Sequence, residues 1–241
     1  MMKRLVIGGM LAVAFAGLPA MSLAGDIASV QPIGFSADGK VFAFQEFGIE
    51  EGGNVPYSET YFIDTENGQY LEGTPFRTEL TEKDANLSKA RRQNLTAARS
   101  QMDKYDLLTN PGLIAAFNPP TELGSPAKTI RYTTLATDGP PKAPYTLSLG
   151  ELPIAAPKDC AAVAKRVLGF SLQMIEKEGA PNRQAGRQVQ TVPAERACSV
   201  EYRIGGAVVY QPEGANPVHI ALVLAFDASR NGRWIAVPVH P

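Results

Sequence analysis

The residues that could do chemistry are few and scattered. Histidine occurs twice, at His219 and His240, and neither belongs to a His-Glu-x-x-His helix or to a Cys/His grouping with zinc spacing. His219 leads an apolar stretch, where a histidine satisfied within the fold is the expected reading, and His240 is one residue from the C-terminus. No Gly-x-Ser-x-Gly elbow is present. Ser125-Pro126-Ala127-Lys128 matches Ser-x-x-Lys, but it sits in a Pro-rich stretch and lacks the companion Lys-Thr-Gly element of the penicillin-recognising enzymes. Glu46, Glu50, Glu51, Glu59, Asp64 and Glu66 gather in one N-terminal region. Such an oxygen-rich group suits calcium or general acid/base work, yet the spacing is not that of a calcium loop, and solvated turn carboxylates are the expectation. No phosphate loop or dinucleotide fingerprint is present, so neither a cofactor nor a metal is expected. Asn86-Leu87-Ser88 and Asn94-Leu95-Thr96 match the glycosylation acceptor pattern but fall in an expected helix, and are read as chance.

The two cysteines, Cys160 and Cys198, are the clearest pair. Their meaning depends on compartment, and the N-terminus speaks to that. Lys3 and Arg4 are followed by an apolar stretch from Leu5 to Leu18 and by Ser22-Leu23-Ala24, the order of a signal peptide with a small-x-small cleavage site. The apolar run is shorter than the roughly 20 residues of a membrane span. Residues 1–24 are therefore expected to be removed, leaving a secreted or periplasmic chain that begins at Gly25 and has no transmembrane segment. In an oxidising compartment an even cysteine pair reads as a disulfide. A bridge closing this 38-residue separation would stabilise the fold by roughly 4 kcal/mol in the chain-entropy model. Cys-x-x-Cys redox spacing is absent.

Removing Lys3 and Arg4 with the leader takes the formal net charge from -1 to -3. A chain so balanced carries no broad basic field, which argues against nucleic acid as a partner and leaves an envelope protein or a small ligand.

The elements that must position these residues are mostly strands. Ser36-Ala37-Asp38-Gly39 reads as a tight turn into a strand from Val41 to Phe47, which places Phe42, Phe44 and Glu46 on one face and Val41, Ala43, Gln45 and Phe47 on the other. Tyr57 to Asp64 and a start at Gln69-Tyr70-Leu71 complete an expected three-stranded meander. Thr81 to Leu108 changes to helical period, with Leu87, Leu95, Ala98, Met102 and Tyr105 on the packing side and Lys89, Arg91, Arg92 and Arg99 making its middle basic. Prolines at 119, 120, 126, 140, 141, 144 and 153 exclude continuous helix between Pro111 and Pro157 and leave room for short strands, including Ile130 to Ala136 and Tyr145 to Leu149. Cys160 to Leu168 fits a short helix, and Gly169 to Leu172 leans to strand. Ser199 to Ile204, Ala207 to Tyr210, the near-continuous apolar Val218 to Phe226, and Trp234 to Val237 return to β structure, with Gly205-Gly206 as bulge or turn and the last two strands as a hairpin. Phe35 to Phe44 and Phe226 to Val237 echo one another as strand-turn-strand segments, as hairpins with similar turn chemistry do.

The stretch Gly34 to Gly48, Tyr61-Phe62-Ile63-Asp64, Cys198 to Ile204 and Arg233-Trp234-Ile235-Ala236-Val237 together resemble a family of predicted secreted bacterial proteins of unknown function. The resemblance extends over nearly all of the chain after residue 24; it implies export and a paired-cysteine β-rich domain, and it brings no activity or site residues. Residues 34–71 alone are similar to one blade of a TolB-like propeller, through Phe35-Ser36-x-Asp38-Gly39-Lys40 and the Ile63-Asp64-Thr65 strand.

The expected fold is mainly antiparallel β, meander or sandwich-like, with one long helix near 81–108 and room for a second short one, an α+β domain over residues 25–241. The expected function is a non-catalytic periplasmic binding or envelope-associated protein, with contacts from the Gly48 to Tyr57 loop or the Arg91, Arg92, Arg99 helix face. The rival is a hydrolase with a carboxylate site in the N-terminal meander.

Overall fold

The structure is a computed structural model that describes residues 25–50, 54–134, 144–176, 182–183, 193 and 196–240. Three antiparallel four-stranded sheets stack face to face, with helices on the outer side of the first. The first sheet has the order β1 (Ser29–Phe35), β2 (Val41–Ile49), β3 (Pro56–Asp64), β4 (Phe76–Glu79). The central sheet runs β12 (Gly232–Val239), β11 (Val218–Phe226), β10 (Glu201–Tyr210), β5 (Leu113–Phe117), and the third runs β6 (Thr129–Tyr132), β7 (Tyr145–Pro153), β8 (Leu168–Glu176), β9 (Asn182–Arg183).

Strand alternation explains the stack. On β11, Ile220, Leu222, Leu224 and Phe226 enter the core shared with the first sheet, while Ala221, Val223 and Ala225 enter the core shared with the third. Covered on both faces, this strand has no place for a polar stripe, hence its near-continuous apolar run. On β2, Phe42 and Phe44 face the central sheet, whereas Val41 and Ala43 face the helices with Met102 and Leu107. Gln45 and Phe47 follow the helix side through Arg91. The turn before β2 forms as its residues dictate: the Ser36 hydroxyl donates to Asp38 at 2.6 Å and accepts from Val41 N, and Gly39 takes a positive φ.

Several boundaries differ from the sequence reading. Tyr70 makes only an isolated bridge with Ile63, because Thr74 closes a turn onto the Leu71 carbonyl; β3 instead gains β4 as its lasting partner. The helix begins later than Thr81. Asn86 caps α1 (Leu87–Ala97) by accepting from Lys89 N, and Ala98 separates it from α2 (Arg99–Lys104). Cys160 to Leu168 is no helix: it makes a 3₁₀ turn at Lys158–Cys160, and Leu168 already pairs with Pro153 at the start of β8. One turn without propagation gives helix little to hold it. Gly205 is a bulge within one strand, β10, where the register shifts between Ile204 and Gly206. Of the expected strand Ile130 to Ala136, residues 135–136 lie outside the described residues, as do the leader and residues 51–53.

Candidate functional site

The most concentrated polar chemistry lies between the first and central sheets. Glu46, at the end of the Phe42-Phe44 face, is fully buried, and its cross-strand partner on β3 is another carboxylate, Glu59. Two like charges directly opposite are unfavourable unless compensated, and here each has its own cation. Arg196 Nη2 reaches Glu46 Oε1 at 2.5 Å, and Arg77 Nε reaches Glu59 Oε1 at 3.1 Å. The Tyr61 hydroxyl stands between them: it donates to Glu59 Oε2, lies 3.3 Å from Glu46 Oε1, and accepts from Arg196 Nη2 at 2.9 Å. The second Glu46 oxygen accepts the backbone N–H of Trp234 at 2.7 Å, so a carboxylate of the first sheet occupies an amide of the outermost strand of the central one.

Burial is the larger influence on the Glu46 carboxyl and raises it, with Arg196 and the Trp234 amide pulling back. Burial also pushes the Tyr61 phenol up, and the Glu46 charge adds to that. A raised carboxyl is often a proton donor, but Glu46 presents no surface to a substrate. What this constellation does is join layers. Beside it Arg233 pairs with Asp26 at 2.8 Å and lies over the Tyr57 ring, and the indole N–H of Trp234 donates to the Ala28 carbonyl at 2.7 Å.

A second polar group is sealed between the central and third sheets. His219 is fully buried, with Nδ1 2.9 Å from the Tyr132 hydroxyl and its ring edge-on to Tyr145 at 4.9 Å. Nε2 has no hydrogen-bond partner among the described residues. Desolvation lowers its pKa to about 4, so the ring is neutral at pH 7. The satisfied histidine expected from the sequence is thus satisfied on one nitrogen.

The Cys160 and Cys198 sulfurs lie 2.17 Å apart. Ala164, Val167, Ile154, Ala197 and Val200 surround them in a small apolar cluster of their own. Arg196 is two residues from Cys198 and belongs to the same turn, where its carbonyl accepts from Ser199 Oγ at 2.7 Å. The cysteine pair therefore lies next to the segment that inserts Arg196 into the buried site.

A family model for predicted secreted proteins, DUF2259, matches residues 43–240. The chain belongs to this family. The DUF2259 match takes in Glu46, Glu59, Tyr61, Arg196, His219, Trp234 and both cysteines. A search of curated proteins returned no significant match.

Within this DUF2259 chain, of the residues singled out from sequence, Glu46 meets Glu59 across the strands and Cys160 meets Cys198, while the remaining carboxylates, the histidines and the helix arginines are not drawn into one site. Glu46 corrects the expectation of solvated turn carboxylates. Asp64 and Glu66 do follow it: Asp64 accepts the turn amides of Glu66 and Asn67, and Glu66 pairs with exposed Lys40. Glu50 is exposed, and Glu51 lies outside the described residues. The basic helix face is not an open stripe. Arg91 stacks on Phe47 and donates to Gln45 and Gln31, Arg99 pairs with Asp103, and Lys89 pairs with Glu82 and Asp84, leaving Arg92 exposed on that face. Lys128 of the Ser-x-x-Lys match is held by Glu151 at 2.6 Å and by the Tyr202 carbonyl, and Ser125 Oγ bonds to nothing among the described residues. Asn94 is buried, 2.5 Å from Thr60 Oγ1 and donating to the Phe76 carbonyl, so it is no place for a glycan. Among the described residues no three metal-ligating side chains cluster, and no helix is long and apolar enough to cross a membrane. Arg196 escaped the sequence reading altogether: Pro193-Ala194-Glu195-Arg196-Ala197-Cys198 has no periodicity, and its one signal is nearness to a cysteine.

Proposed function

We propose that this DUF2259 protein is a non-catalytic recognition protein of the cell envelope. It is exported by residues 1–24, cleaved after Ala24, and works outside the cytoplasm as one domain from Gly25 onward with a Cys160–Cys198 bridge. The family's description as secreted supports the compartment. The observation that carries the non-catalytic reading is the sealing of Glu46 and His219. These are the carboxyl and the imidazole with clearly shifted proton affinity inside the core, and both are fully buried and bonded within the stack. Acid/base catalysis needs such a group within reach of a substrate proton.

Partner contacts fall to loops on a rigid sheet. Of the two surfaces suggested by the sequence, the Gly48 to Tyr57 connection is the better supported, since Arg91 and Arg99 already have partners. Glu50 N donates to Val55 O at 2.9 Å and closes the base of this loop.

The test is an activity screen of the exported protein against esters, peptides, glycans and phosphates, with Glu46→Gln, Glu59→Gln and His219→Phe beside wild type. Silence across the screen is expected, together with N-terminal sequencing that begins at Gly25. Turnover abolished by Glu46→Gln or Glu59→Gln would replace recognition with hydrolysis at the N-terminal meander, and turnover abolished by His219→Phe would replace it with catalysis at the β11 histidine.

A further inference from the structure

Residues 25–28 are tied to the turn between β11 and β12. Asp26 N donates to Asn231 Oδ1 at 3.0 Å, across 205 residues of sequence. Gly232 N donates to the Asp26 carbonyl at 2.8 Å, Ala28 N donates to the Gly232 carbonyl at 2.9 Å, and Ile27 bridges Gly232 in parallel. Arg233 adds a charged clamp: Nη1 donates to the Asp26 carbonyl at 2.9 Å and Nη2 to the Asp26 carboxylate at 2.8 Å. The four residues thus lie as a strap along the start of β12.

The turn that receives the strap is itself held. Asp227 Oδ1 accepts from Ser229 N and Asn231 N, and Asp227 Oδ2 accepts from Asn231 Nδ2 at 3.1 Å, which leaves the Asn231 side-chain oxygen aimed at Asp26. Gly25 closes the seam. A Cβ there would lie 2.0 Å from the Arg230 carbonyl oxygen and 2.8 Å from Asn231 N, so the Gly25 backbone rests directly on the turn. Gly25 is also the residue that follows the bond expected to be cut, Ala24–Gly25. A peptidase holds the chain extended in its own cleft on both sides of the bond it cuts, and the main-chain N–H and C=O of Asp26 that such a cleft would bind already have partners.

We propose that this seam is a processing latch, which shuts the cleavage site once the domain has folded, so that residues 1–24 are removed before residues 25–28 seat on β12. The inference rests on cleavage after Ala24, as proposed above. The latch is local. None of residues 25–28, nor Asn231, Gly232 or Arg233, belongs to the core between the central and third sheets, so the strap can lift without that core opening. Access to the bond then follows the fraction of molecules in which the strap is open.

The test is cleavage of the full precursor by a signal peptidase in detergent, with the precursor presented either directly from urea or after refolding, and circular dichroism confirming the refolded state. Cleavage after Ala24 is expected from urea, and a rate at least about tenfold lower after refolding. Arg233→Ala and Asn231→Ala lie far from the bond in sequence and leave its recognition alone. They should hasten cleavage of the refolded precursor by at least about tenfold and about threefold, with the rate from urea unchanged. Leu172→Ala, which weakens the core beside the third sheet away from the strap, should leave the protection in place. Refolded wild type cut as fast as precursor from urea, or refolded Arg233→Ala and Asn231→Ala cut no faster than wild type, would overturn the latch. So would release by Leu172→Ala as large as theirs. Failure of the precursor from urea to be cut after Ala24 would overturn the processing reading itself, and the latch with it.

Discussion

Glu46 and Arg196 are separated by 150 residues in the chain and by 2.5 Å in space, both buried, with a phenol and a backbone amide completing the shell around the carboxylate. One lies on the first sheet, and the other follows the long excursion that includes the third. Their contact links the N-terminal and C-terminal parts of the molecule.

Because a buried ion pair costs most when only one partner is removed, Arg196→Met is expected to destabilise the protein by about 3–5 kcal/mol in urea denaturation. Adding Glu46→Gln should recover a good part of that loss. The single variant's deficit should also shrink as pH falls: without Arg196, burial raises the Glu46 carboxyl further above its unfolded value, and protonation removes the unpaired charge. A deficit independent of pH would mean that packing, not charge, is what Arg196 supplies.

His219 gives the wild-type protein a second pH dependence. Its folded pKa of about 4 lies below the ordinary value of 6.5, so the unfolded chain binds the proton more readily. Stability attached to the neutral ring is complete above pH 6.5, falls as pH drops toward 4, and changes no further below that; the shift corresponds to on the order of 3 kcal/mol. Denaturation midpoints of wild type and His219→Phe at pH 7.5 and 4.5 should show a smaller decline in the variant.

How much of this was legible in the sequence differs by element. The facing of Phe42, Phe44 and Glu46 followed from alternation alone, and the strand at Val218 to Phe226 from its near-continuous apolar run. That Glu46 continues the buried face was present in the same alternation, but carboxylates near turns are ordinarily wet, and only the packing of a second sheet decides otherwise. Arg196 was invisible because its position depends on a tertiary fit, with no local period to mark it. The interleaving of β5 with β10 to β12 was hidden for a related reason: strand order is set by which faces need cover, and a five-residue apolar segment between prolines names no neighbour.

Replacing Cys160 and Cys198 by alanine is expected to cost roughly 4 kcal/mol. It should also couple to Arg196: the penalty of Arg196→Met should be smaller in the alanine background than in wild type, since a Cys160–Cys198 bridge would anchor the turn that delivers the guanidinium. A double-mutant cycle measures this directly, and strict additivity would uncouple the two.

Gly205 offers a steric test. A Cβ there would lie 2.4 Å from two atoms of the Trp234 ring, so Gly205→Val should destabilise by about 1–3 kcal/mol through overpacking. The sole tryptophan of the chain reports the change: its fluorescence should shift to the red in the variant as the ring is displaced from its buried place between the sheets.

The order in which the chain is made bears on the central sheet. Three of its four strands, β10 to β12, come from the last 41 residues of the sequence, 201–241, and both outer sheets bury their inner faces against them. A chain emerging N-terminus first must therefore carry the aromatic face of β2 and β3 and the apolar face of β7 and β8 without their common support until β10 to β12 have followed. Assembly waits on residues 201–239. During that interval the chain is open to proteases and to self-association, and a holding chaperone at the exit side would act on those two faces.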